Sequence, residues 1–82
     1  MMDKVKLYGS DKEAGHGFMK YIAEHPQLKR SSRGSCMYFV ELEDKTRLWF
    51  LGFEQYRIWS KGRTYLMDGA VYHSGWRVEG MM

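Results

Sequence analysis

Two dipeptides, Lys61-Gly62 and Asp68-Gly69, constrain this chain more than any other feature, because each separates two stretches that favour extended backbone. Asp-Gly accepts positive φ at both central positions of a tight turn whose twist matches that of the strands it joins. Two-residue turns make the flanking strands antiparallel. The β-favouring stretches after the first third of the chain are 36–42, 46–51, 55–60, 63–67 and 70–78. The pattern predicts an antiparallel meander over about 36–79.

The front of the chain reads differently. Lys4-Val5-Lys6-Leu7-Tyr8 alternates polar and apolar residues, as a short strand over about 4–8 would. Gly9 ends it. Ser10-Asp11-Lys12-Glu13 matches a capping box, in which the serine hydroxyl and the glutamate carboxylate satisfy amide donors at a helix start. Ala14, Phe18 and Tyr21 or Ile22 follow at helical spacing and form one apolar stripe. Pro26 holds His25 out of helical geometry, so the helix should run over about 11–24. Residues 27–35 include Lys29, Arg30 and Arg33 among small polar residues and read as a basic loop. The expected fold is α+β: one N-terminal helix on a five- to six-stranded antiparallel meander. Gly52 and Gly75 are positions where such a sheet could bend into a half-barrel.

The chain has 82 residues, which suits one domain over 1–82 with a thin core. No apolar run approaches the ~20 residues of a membrane helix, and the first residues lack the apolar stretch of a secretory leader. A lone Cys36 forms no internal disulfide, which fits a reducing, cytoplasmic setting. The formal net charge of +3 comes from residues 1–35, the rest being neutral. That bias is weak for a nucleic-acid binder.

Turn lengths set register, and register decides which side chains share a face. A loop at residues 44–46 would set Leu42 opposite Leu48. A three-residue loop at Gly52-Phe53-Glu54 would set Phe50 opposite Tyr56 and Leu48 opposite Ile58. One face then carries Tyr38, Val40, Leu42, Leu48, Phe50, Tyr56, Ile58, Tyr65, Met67 and Tyr72, with the helix as its cover. The other carries Phe39, Arg47, Trp49, Arg57 and Trp59, with Arg47 beside Trp59 and Trp49 beside Arg57. One helix shields one side of a sheet, so this second face is expected to stay in water as an aromatic and basic patch. Such patches mark contact sites, where Trp, Tyr and Arg most often supply binding energy.

Catalytic and metal chemistry is thin. His16, His25, His73 and Cys36 do not fall at zinc-ligand spacing, and no metal or other cofactor is expected. Gly15-His16-Gly17 lacks the length and the ending of a phosphate-cradling loop. A small basic ribonuclease would have to use His73 with Arg57 or Arg63; the expectation is no enzyme. The leading reading is a small module that docks on a larger protein through Phe39, Arg47, Trp49, Arg57 and Trp59, through the sheet edge, or both. Inhibitors and accessory factors of phages and mobile elements are a familiar setting for such chains. The alternative is nucleic-acid binding, with phosphates held by Lys29, Arg30 and Arg33 and bases stacked on the aromatics. A third reading is self-association as a homodimer through the same face or an edge strand.

Overall fold

The computed structural model describes residues 2–33 and 37–73. Cys36, the end of the basic segment (Gly34, Ser35) and the continuation of the last strand with Gly75, Trp76 and Val78 lie outside the described residues, as does the side chain of Arg33. Along the chain the elements are β1 (Asp3–Tyr8), α1 (Asp11–Glu24), β2 (Lys29–Arg33), β3 (Met37–Glu41), β4 (Arg47–Gly52), α2 (Phe53–Ser60), β5 (Thr64–Met67) and β6 (Ala70–His73). The strands form one sheet in the order β2-β3-β4-β1-β5-β6. The class is α+β, and no helix among the described residues is long and apolar enough to cross a membrane.

The front end follows its local signals. The Ser10 hydroxyl accepts the Glu13 amide at 3.2 Å and starts α1, and the His25 amide donates to the Tyr21 carbonyl at 2.9 Å where the helix stops before Pro26. Ala14 and Phe18 are buried, with Tyr21 and Ile22 packed beside them. The Asp68-Gly69 turn is also as expected. Both residues have positive φ (55° and 80°), and Met67 pairs with Ala70 and Tyr65 with Tyr72.

The sheet is mixed, not an antiparallel meander. β1 runs parallel to both β4 and β5 and lies between them, with Val5 opposite Trp49 on one side and Met67 on the other. The cause is the segment expected as a strand over 55–60, which is the helix α2. In a strand Tyr56, Ile58 and Ser60 would share a face. In the helix Tyr56, Trp59 and Ser60, at three- and four-residue spacing, turn inward and leave Ile58 exposed. A tight turn would have set β5 against β4. The helix instead carries the chain over β1, so β5 arrives on its far side and runs parallel. Lys61-Gly62 is indeed a turn, with Gly62 at φ 74° and the Arg63 amide on the Ser60 carbonyl at 2.9 Å, but it joins helix to strand.

The basic segment is likewise a strand over 29–33, paired antiparallel with β3 at the sheet edge. Between β3 and β4, Lys45 takes positive φ and the Asp44 carboxylate accepts the Thr46 hydroxyl at 2.6 Å and the Thr46 amide at 3.1 Å. The register there is Val40 opposite Leu48 and Glu41 opposite Arg47, two residues from expectation. A shift of two leaves every side chain on its expected face.

Two cores result, one on each side of the sheet. Phe18, Val40, Leu48 and Phe50 close the α1 side, with Tyr38 and Leu42 against them. Val5, Trp49, Leu51, Trp59 and Tyr65 close the α2 side, with Phe39, Tyr56 and Met67 packed on them. The expected first face therefore holds for β3 and β4. Tyr56, Tyr65, Met67 and, by register, Tyr72 belong to the other side.

The helices meet at the carboxyl ends of β1 and β4. A Cβ on Gly52 would stand 2.2 Å from Asp11 Oδ1, 2.4 Å from the Asp11 amide nitrogen and 2.5 Å from the Ser10 carbonyl carbon. Backbone cannot step aside there. Gly52→Ala is expected to lower unfolding free energy by about 2–3 kcal/mol in urea titration. Gly17→Ala should cost less, since the group in its way is the end of the Tyr8 side chain.

Candidate functional site

The face expected to bind is covered. Trp49 retains 2 % of its accessible surface and Trp59 4 %, because α2 lies across β4 and β1 on the side away from α1. Rings follow one another across this side: Phe39 to Trp49 at 4.5 Å, Trp49 to Trp59 at 5.4 Å, Trp59 to Tyr65 at 5.3 Å and Tyr65 to Tyr72 at 5.8 Å. The Trp49 indole donates to Asp3 Oδ2 at 3.3 Å. These contacts make the two tryptophans core residues.

The arginines are placed differently as well. Arg47 is exposed with its guanidinium 5.2 Å above Phe39, not beside Trp59. Arg63 stands 4.8 Å over Trp59 and reaches Asp3 at 3.7 Å. Arg57 points outward on α2, where it pairs with Glu54 at 3.5 Å and leaves Trp49 alone. An exposed pair of that kind adds little stability. Of the five residues expected to bind, Phe39 and Arg47 meet at the surface, the tryptophans are interior and Arg57 stands apart.

Lys29, Arg30 and Arg33 sit on an edge strand opposite Glu41, Val40 and Met37. Successive strand residues face opposite sides, so Lys29 and Arg30 cannot close on one phosphate as residues of a flexible loop could. His73 lies across from Thr64, its Nδ1 3.0 Å from the threonine hydroxyl, whereas Arg63 lies over Trp59 on the other side of the sheet. No group of three or more His, Cys, Asp or Glu converges among the described residues.

What remains open is the α1 side beyond α1. That helix lies over β3, β4 and the end of β1, and leaves the rest of β1 with β5 and β6 uncovered. Register places Lys4, Lys6, Leu66 and Val71 together there, with the buried Leu48 of β4 at the border. A cavity of about 400 Å³ has Lys4, Lys6, Leu48, Leu66 and Asp68 in its lining. A neighbouring one of about 380 Å³ shares Lys6 and adds Tyr8, Lys20 and Glu24. The ion pairs among the described residues involve neither Lys6 nor Lys20. The Tyr8 phenol, above Gly17, has its pKa raised by burial. Lysines at alternate positions of β1 were the signal for this surface. It was unreadable without knowing that β1 is central, since the middle strand of a parallel set is usually apolar on both faces.

No family model, curated protein or solved structure matches this chain.

Two outcomes test the α2-side core. Trp59→Ala should cost about 3–5 kcal/mol of stability, a loss that a residue of a wet docking face would not produce. Tyr65 is pushed above the ordinary tyrosine range, first by burial and then by its hydrogen bond with the Tyr56 hydroxyl. The folded state thus holds a proton that the unfolded chain releases near pH ~10. Stability should fall above that pH by at most about 1.4 kcal/mol per pH unit for this group. Tyr65→Phe should flatten the fall in urea titrations without abolishing it, since Tyr8 is raised too.

Proposed function

We propose that this chain is a small non-catalytic module that binds a protein partner by taking an acidic amphipathic segment on the open half of its sheet. The observation that carries the reading is the central strand β1, which turns Lys4 and Lys6 to the α1 face at the border of the part that helix leaves uncovered. Strands lie about 4.8 Å apart, so β1, β5 and β6 span roughly 10 Å, the width of one helix with its side chains. A segment laid parallel to α1 would complete that layer.

Chemistry selects the segment. Leu66 and Val71 offer apolar floor, while Lys4, Lys6 and Lys20 ask for carboxylates; the acids lining the same cavities are Glu24 and Asp68. Such a module acts by occupancy, as an inhibitor or accessory factor of the protein it holds. The net charge of only +3 is a weak bias for phosphate-driven binding.

The test is capture from lysate of the native host with and without nuclease treatment. Charge reversal at Lys6 and Lys20 together is expected to weaken retention of the partner about ten- to a hundredfold. Reversal at Lys29 and Arg30 should leave it unchanged. Retention that vanishes with nuclease treatment, or that depends on Lys29 and Arg30 in place of Lys6 and Lys20, would favour nucleic acid and end this reading.

A further inference from the structure

The two edges of the sheet are unlike. β2 has Lys29, Arg30 and Arg33 among its five residues, the charged kind of edge that resists pairing with another chain. β6 reads Ala70-Val71-Tyr72-His73, and all four residues are exposed. Val71 keeps 55 % and Tyr72 42 % of its surface in water, and the strand has no Asp, Glu, Lys or Arg.

Turn geometry decides which amides of β6 have no strand partner among the described residues. Asp68 and Gly69, both at positive φ, make a type I′ turn, and the residues flanking such a two-residue loop, Met67 and Ala70, form a hydrogen-bonded pair. Hydrogen-bonded and non-hydrogen-bonded pairs alternate along an antiparallel ladder. Ala70 and Tyr72 therefore spend their backbone groups on β5, and Val71 and His73 point theirs outward.

We infer that β6 is the seam of a homodimer, in which two copies pair antiparallel about a two-fold axis at Tyr72. Val71 of each copy then exchanges hydrogen bonds with His73 of the other. The two Tyr72 residues face each other as a non-hydrogen-bonded pair, where Cα atoms approach to about 4.5 Å. Each Tyr72 ring is already held against Tyr65 at 5.8 Å with 11° between the planes, so little side-chain freedom is lost on pairing.

Charge and closure select a second copy as the occupant. Pairing β2 with β2 would set Lys29, Arg30 and Arg33 against their own kind. Pairing β2 with β6 is head-to-tail and leaves a fresh edge at each end, which builds filaments and not a closed particle. β6 with β6 closes on itself and opposes no like charges. The axis stands perpendicular to the sheet, so the open half-faces of the two copies become one platform with Lys4, Lys6, Leu66 and Val71 from each. The seam does not depend on what that platform binds.

Sedimentation equilibrium of the full chain, from about 10 µM to about 1 mM as a small interface requires, tests this. The average mass should rise from 9.8 kDa towards twice that value. Tyr72→Lys and Tyr72→Glu should each remain monomeric across the range. An equimolar mixture of the two should recover the dimer mass, because lysine and glutamate then face each other across the axis. Val71→Pro, which removes an outward amide and spares the β5 ladder, should also be monomeric. A wild-type mass that stays at 9.8 kDa throughout, single Tyr72 variants that still dimerise, or a mixture that fails to recover the dimer would each overturn the seam.

Discussion

Trp59 packed between Trp49 and Tyr65 is the contact on which the arrangement depends. It binds α2 to the sheet, and α2 is what carries the chain from β4 over β1 to β5. Without that anchor an eight-residue helix has little to hold it: Gly52 provides no side-chain cap, and its own ion pair is exposed. With it, β1 acquires neighbours on both sides and the first strand of the chain becomes the middle of the sheet. Burial of two indoles and the Tyr65 ring gives this side a core as substantial as the one beneath α1.

Both proposed surfaces follow from that placement. Each face of a six-stranded sheet is wider than one helix, so a single helix per face leaves part of each uncovered. On the α1 side the uncovered part is floored by β1, β5 and β6, where Lys4 and Lys6 flank the buried Val5 along β1 and where Leu66 and Val71 lie beside them. The charged edge is β2 and the uncharged one is β6, so the open floor runs up to the edge that nothing repels. The proposed binding floor and the proposed self-pairing edge thus share the β5–β6 wing.

Local signals were legible wherever a few adjacent residues decide the outcome. Ser10 and Pro26 bracket α1, and Asp68-Gly69 sets both the turn and the register of β5 with β6. The face assignment of β3 and β4 survived a two-residue error in register because side chains repeat every two residues. The segment 55–60 reads as a strand for a reason of the same kind. Tyr56, Ile58 and Ser60 alternate well enough for a strand, and the helical set Tyr56, Trp59 and Ser60 becomes decisive only when Trp49 and Tyr65 are present to receive it. That one segment changed the sheet from antiparallel to mixed and moved two tryptophans from a supposed docking face into the interior.

The sequence by itself determined the α+β class, the single long helix and its limits, and the tight turn between the last two described strands. Those depend on capping, proline geometry, positive φ and spacing, which act over a few residues. Tertiary structure alone decided that β1 is central, that Trp49 and Trp59 are core and that Lys4 and Lys6 look onto an open floor. Strand order and the covering of a face are set by contacts between residues more than forty positions apart, such as Trp49 with Asp3, and no short-range pattern encodes which distant partner will arrive.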